Sequence, residues 1–340
     1  MKKVDIYNHI FPEPYWTHML KVAGAHKDLG KRVRAIPMLA DLDERFRVMD
    51  MFGEDYVQIL SVPAPPPEVL AGPKDAAELA RRANDGMAEL CRKYPERFPG
   101  FTATLAMNNM DAVMAEIPRA INELGANGVE FYTNVNGRPL DDPEFEPVFQ
   151  VMAEVHDLPI WVHPVRPAQF PDYPGEDKSK YEIWWTFGWP YETSAFMARI
   201  VFAGYFDKYP NLKIITHHLG GMIPYFEGRV GPGWDQLGSR TTDEDLTGVL
   251  GSLKKPHLDY FKMFYADTAV FGSVPATTCG LEFFGADNVV FSSDAPFDPE
   301  GGPMYIRETI KILDELEISE TDRQKIYQGN AERLLKITVN

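Results

Sequence analysis

Val289-Val290-Phe291-Ser292-Ser293-Asp294-Ala295-Pro296 reads as a short apolar strand that ends on an acid and then breaks. Three other apolar stretches end on histidine: Ile6-Tyr7-Asn8-His9, Ile160-Trp161-Val162-His163 and Ile214-Ile215-Thr216-His217-His218. Ligand-type side chains at successive strand ends describe one site, and a metal centre is the expected reading. The alternative is a polar network satisfied within itself. Imidazole and carboxylate donors at about 2.0–2.2 Å suit Zn, and the same set can hold Mn or Fe.

Working outward, eight apolar runs read as strands, near 4–9, 56–62, 100–105, 127–133, 159–163, 212–218, 262–267 and 288–293. Most are rich in Val, Ile, Phe and Tyr, and near-continuous apolar runs fit parallel strands covered on both faces. Helical spacing fills the gaps. Ala76, Leu79, Ala80, Ala83, Met87 and Leu90 share one face, with Asp75 and Glu78 as a capping box. Met114, Ile117, Ile121 and Leu124 form a second face, kinked by Pro118 and stopped by Gly125. Phe145 to Glu154, then Phe196, Ile200, Val201 and Phe206, supply two more, and Thr321 to Leu335 reads as a terminal helix. This alternation predicts a (β/α)8 TIM barrel as one domain over 1–340, in preference to an open doubly wound sheet. The ligand-type residues come from the first, fifth, sixth and eighth runs, and closure brings the first and eighth together. Long insertions follow the first run (11–50) and the fifth (164–190). The second carries Trp184, Trp185 and Trp189, either as a pocket wall or as packing onto the barrel or a second subunit.

The 340 residues are 44% hydrophobic, enough for one large core, and carry a formal charge of −16. That surface repels phosphate backbones and anionic lipid, so nucleic acid and membrane are poor partners, while a small anionic substrate remains acceptable to a local Arg. No apolar run approaches the roughly 20 residues of a membrane span. Two cysteines, Cys91 and Cys279, suggest no disulfide framework, and the start is not signal-like, so a cytoplasmic protein is expected.

Period-two alternation places Asp5, Tyr7 and His9 on one face. His163 meets Pro164, which turns the chain out of the sheet. His217 and His218 point to opposite faces unless the backbone bends, so His218 is read as the general acid or base and His217 as a buried structural imidazole. Asp267, ending the seventh run, orients a pocket residue or caps.

Asp5-x-Tyr7-x-His9, Trp161-Val162-His163-Pro164, His218-Leu219-Gly220-Gly221 with Pro224 and Gly228-Arg229, Ser293-Asp294-Ala295-Pro296 and Gly329-Asn330-Ala331 occur in one order. In that order they resemble the amidohydrolase-2 family, in the branch related to aminocarboxymuconate-semialdehyde decarboxylase. The resemblance spans nearly the whole chain. It implies a metal-dependent (β/α)8 barrel, often a homodimer. His9, His163 and Asp294 match metal ligands, and His218 the proton-shuttling or water-activating histidine. Arg229 matches an arginine that reaches the substrate carboxylate from a neighbouring subunit, or is an ordinary surface residue. The departure is Tyr7, where the family has His or Glu. Tyr7 ligates as phenolate, or leaves a site of His9, His163 and Asp294, or marks a lost metal.

The function expected is metal-dependent nonoxidative decarboxylation of an aromatic or unsaturated carboxylic acid. It uses one divalent metal (Zn first, then Mn or Fe), with His218 and Asp294 catalytic and Arg229, Trp184, Trp185 and Trp189 against the substrate. A hydrolase or hydratase acting on a lactone, amide, C–C bond or alkene acid is the alternative on the same fold. A third reading, motivated by Tyr7, is a non-enzymatic binder.

Overall fold

The computed structural model describes residues 1–24, 26 and 31–340. Eight parallel strands form the barrel: β1 (Lys3–His9), β2 (Tyr56–Ser61), β3 in two pieces (Gly100–Phe101 and Ala103–Thr104), β4 (Val129–Tyr132), β5 (Ile160–His163), β6 (Ile214–Thr216), β7 (Tyr265–Asp267) and β8 (Val289–Val290). Neighbours pair in the order β1-β2-β3 and β8-β7-β6-β5-β4-β3. The ring closes through Ile6 N donating to Phe291 O at 3.0 Å and His9 N to Ala295 O at 2.9 Å, which join β1 to the end of β8. The predicted TIM barrel is therefore present, and the open sheet is not.

Alternation sorts the strand residues cleanly. Leu60, Phe131, Ile160, Val162, Ile214, Val289 and Phe291 pack outward among the helices in the main core. Val57, Ile59, Trp161, Ile215 and Val290 face inward and build the barrel floor, capped from below by Ala331, Leu334 and Leu335. His163 lies two residues beyond Trp161, and His217 two beyond Ile215. Period two thus carries both histidines from the apolar floor to the mouth.

Strand β1 departs from the expectation. Its register against β2 shifts between Asp5 and Asn8. The irregularity lets Ile6 and Tyr7, adjacent in sequence, both join the floor cluster. Asp5 therefore does not share the face of Tyr7 and His9. Its carboxylate turns outward to accept from Tyr56 Oη at 2.6 Å, Asn8 Nδ2 at 2.9 Å and Ser293 N at 3.0 Å.

The helices follow the predicted faces. Pro73–Lys93 buries Ala76, Leu79, Ala80, Ala83 and Met87. It begins at Pro73 behind Gly72 without a side-chain cap, so Asp75 and Glu78 lie inside it and form no capping box. Met110–Asn122 contains Pro118 and buries Val113, Ile117 and Ala120, with Asn109 capping the Ala112 N–H. The terminal helix is interrupted: Glu320–Gln324, a π turn Lys325–Gly329, then Asn330–Leu335, started by Ser319 rather than Thr321. The first insertion contributes helices Glu13–Ala23, Lys31–Ala35 and Leu42–Asp50, and the second ends at the helix Gly188–Phe202. Arg45, fully buried on Leu42–Asp50, donates to Asn8 Oδ1 and Gln58 Oε1 at 2.7 Å, to Met38 O at 3.1 Å and to His9 O. One guanidinium thus fixes that insertion to the back of β1. No helix of the described residues is long and apolar enough to cross a membrane.

Candidate active site

His9, His163, His217, His218 and Asp294 gather at the C-terminal mouth of the barrel. Donor atoms of His9, His163 and His217 lie within 4.8 Å of one another, as do those of His217, His218 and Asp294. His9 Nε2 is 3.0 Å from Asp294 Oδ1. Each of the first three rings is held by its other nitrogen. His9 Nδ1 meets Ser61 Oγ at 3.1 Å, His163 Nδ1–H donates to Pro164 O at 2.6 Å, and His217 Nδ1 pairs with Asp267 Oδ2. Such tethers orient each ring and aim its Nε2 inward, the arrangement a metal-binding imidazole requires. Asp267 also accepts from Ala269 N at 3.0 Å through Oδ1, so it orients His217 and caps its own turn together.

His218 differs. Its Nδ1 is buried without a hydrogen-bond partner, and its Nε2 lies 3.7 Å from Asp294 Oδ2. It is also the most open of the four site imidazoles, its side chain 10% exposed. Both consecutive histidines reach the mouth because His218 (φ 54°) and Leu219 (φ 53°) are left-handed. That bend turns His217, buried and paired with Asp267, toward the mouth beside His218. The turn is pressed against the helix Gly188–Phe202. A Cβ on Gly221 (φ +63°) would lie 2.5 Å from Pro190 O, so only glycine fits there. Asp294 is left-handed as well (φ 62°), at the break the sequence announces.

Burial dominates the electrostatics. It pushes His163 well below its usual range, reinforced by His217 and His9. It lowers His9 and His218 too, against the pull of Asp294. His217 is the exception. Burial opposes its charge, but Asp267 and Asp294 raise it to about 10. Asp294 is held well below the carboxylate range by His217, His218 and His9 despite the opposing effect of burial. Neutral rings at His9, His163 and His218, with His217 drawing a proton because two carboxylates face it, mark a pocket that calls for positive charge, and a divalent cation fits it.

Tyr7 is inside but turned aside. Its hydroxyl donates to Glu130 Oε1 at 2.5 Å, and its ring lies 4.4 Å from His217 and 4.9 Å from His9, centroid to centroid. Burial first, then Glu130, raises the phenol well above its ordinary value, so it is neutral as placed. Glu130 itself is pushed up to about 8 by burial. An acid between Val129 and Phe131 in a buried strand was a readable signal for an inward polar group.

Aromatic rings wall the mouth. Trp189 lies 5.1 Å from His163 and 6.3 Å from His218, with Trp184 at 5.7 Å and Trp185 at 6.4 Å behind it. Phe297 stands 5.5 Å from His9, and Phe271 stands 5.5 Å from His218. Those two phenylalanines were not singled out in sequence; each lies a few residues past a strand end, where no periodicity marks it. Arg229 is not brought into the cluster. It is exposed on Glu227–Val230 beside Phe226, next to Tyr225, which is 80% exposed.

The amidohydrolase family pattern matches residues 5–337. A gamma-resorcylate decarboxylase of Polaromonas sp. (strain JS666) is 33% identical over 314 residues, covering 87% of each chain. The 2-amino-3-carboxymuconate-6-semialdehyde decarboxylase of Dictyostelium discoideum is 28% identical over 99% of this chain and 92% of its own. Among solved structures, a dihydroxybenzoic acid decarboxylase from Polaromonas sp. JS666, with bound manganese and the inhibitor 2-nitroresorcinol, superimposes with a TM-score of 0.77. It is 29% identical, and the match covers 98% of this chain and 97% of that one.

Proposed function

The chain belongs to the amidohydrolase family, and from that premise we propose that it is a metal-dependent, nonoxidative decarboxylase of an aromatic or unsaturated carboxylic acid. The observation that carries this reading is the division among the site imidazoles. Three are tethered with Nε2 turned inward beside Asp294, and one, His218, is left untethered and partly open.

His9, His163 and Asp294 would hold the cation, which supplies charge stabilisation and fixes the orientation of the substrate's carboxylate. The imidazole-rich donor set favours Zn, with Mn or Fe as the alternatives. His218 carries the transferable proton, and Asp294, 3.7 Å away, stabilises its charged form. The proton passes to the carbon bearing the carboxylate. The bond to that carboxylate then breaks, its electron pair returns to the unsaturated system, and CO2 leaves. Trp184, Trp185 and Trp189, with Phe271 and Phe297, present ring faces that suit a planar substrate and exclude water.

The reading includes a single domain over 1–340, a cytoplasmic location consistent with two unpaired cysteines, and a homodimer in which Arg229 reaches the substrate carboxylate of a neighbouring copy. The exposed Arg229 beside exposed Phe226 supports the last point.

The test is incubation of metal-replete protein with ortho-hydroxybenzoic and muconate-type acids, with CO2 detection in heavy water. CO2 release with one deuterium at the vacated carbon is expected. No release across a broad panel overturns the proposal.

A further inference from the structure

His217 is the unexplained residue of the site. It is 1% exposed, its Nδ1 is committed to Asp267, and its Nε2 has no hydrogen-bond partner. That nitrogen lies 3.4 Å from Asp294 Oδ1, and within 4.8 Å of donor nitrogens on His9 and His163. Donors bound to one cation at roughly 2.0–2.2 Å stand about 3.0–3.5 Å apart. The separations of His9 Nε2 and His217 Nε2 from Asp294 Oδ1, 3.0 and 3.4 Å, are of that size. The carboxylate behind the ring completes the usual support of a ligating histidine, an acceptor on the far nitrogen that fixes tautomer and angle.

Tyr7 shows the opposite pattern. Its hydroxyl is spent on Glu130, and its ring packs against the imidazoles, stacked on His163 at an interplanar angle of 24°. The phenol acts as a packed floor, with its oxygen engaged elsewhere.

We propose that His217 is the fourth protein ligand of the metal, completing a set with His9, His163 and Asp294. It takes the part that strand β1 cannot supply with Tyr7 at that position. Asp267 is its positioning residue, and His218 stays outside the set. The bend at His218 and Leu219 makes this arrangement possible, because it lets adjacent histidines serve different purposes at one mouth.

The inference rests on the metal-dependent reading above, and the experiment separates the two. Protein loaded with Mn2+ and freed of excess metal is analysed for metal per chain. The bound imidazole nitrogens are counted by electron spin-echo spectroscopy. Wild type is expected to hold about one metal with three imidazoles, and Tyr7→Phe is expected to match it. His217→Gln should lose the metal, and Asp267→Asn should bind it about 10–100-fold more weakly. Should His217→Gln fail to fold, the wild-type imidazole count decides alone. Two imidazoles in wild type, or loss of metal from Tyr7→Phe with retention in His217→Gln, overturns the assignment. So does a phenolate charge-transfer band in the iron(III)-loaded protein. Wild type that takes up no metal sinks the metal-dependent reading itself.

Discussion

Glu68 is a buried acid whose burial outweighs the hold of the Glu68 and Met107 backbone on its charge. It sits on the short helix Pro67–Leu70 after β2, 4% exposed, and neither carboxylate oxygen has a hydrogen-bond partner. Burial raises it from 4.5 to about 8. The sign of the consequence follows from proton binding. Below pH 4.5 the folded and unfolded chains both carry the proton. Between 4.5 and about 8 the unfolded chain has released it while the folded chain keeps it. Unfolding free energy therefore falls by about 1.4 kcal/mol per pH unit across that window, and levels off above it. The full gap corresponds to about 5 kcal/mol, of which about 3–5 is expected once the unfolded chain's own compactness is allowed for. Glu68→Gln keeps the shape and removes the titration. The two proteins should be nearly equal near pH 5, and the variant more stable by about 3–5 kcal/mol near pH 8.5. Glu130, also raised to about 8, titrates in both proteins and cancels to first order. Urea midpoints from pH 5 to 8.5, at unchanged slope, read the difference directly. A midpoint difference that stays flat or shrinks with rising pH would refute the argument.

Four further outcomes are expected. His218→Asn should keep its metal while kcat falls by about 10²–10⁴, the usual worth of a positioned proton donor; elemental analysis beside CO2 release checks both halves. His163→Ala and Asp294→Asn should each remove metal and turnover together, and an Asp294→Asn enzyme of full activity would discredit the site. Dialysis against a chelator should abolish decarboxylation and lower the unfolding midpoint, with recovery on adding back Zn2+ or Mn2+. Arg45→Met should destabilise the fold by about 3–5 kcal/mol in urea, because it strands the side-chain and carbonyl acceptors that the guanidinium satisfies around β1.

The barrel was legible because parallel strands buried on both faces are largely apolar, and most of the eight runs were. Their bounds were drawn too long at β6, β7 and β8, because composition does not report where strand pairing starts and stops. His9, His163 and Asp294 were readable because each closes an apolar run at a break. What the sequence hid was local backbone: the register shift that turns Asp5 outward, and the left-handed bend that brings both His217 and His218 inward. Alternation assumes extended backbone, and both features lie where that assumption ends. Arg45 left no trace either, since a single arginine in an amphipathic helix reads as surface until the tertiary fold buries it.

The four imidazoles at the mouth are chemically identical, yet the chain separates them by what it attaches to the far nitrogen. A serine hydroxyl, a backbone carbonyl and a carboxylate hold three rings and turn their Nε2 atoms inward. His218 receives no such partner, and a ring without a fixed tautomer can take and give a proton. Moving the tether should therefore move the function. Asp267→Asn replaces a full negative charge by an amide that can also donate, which weakens the hold on His217 Nδ1–H. The loss should appear as weaker metal binding, with turnover restored at saturating metal. If Asp267→Asn instead lowers kcat at saturating metal and leaves affinity unchanged, Asp267 acts on the proton path, and the division drawn here between holding and shuttling rings is wrong.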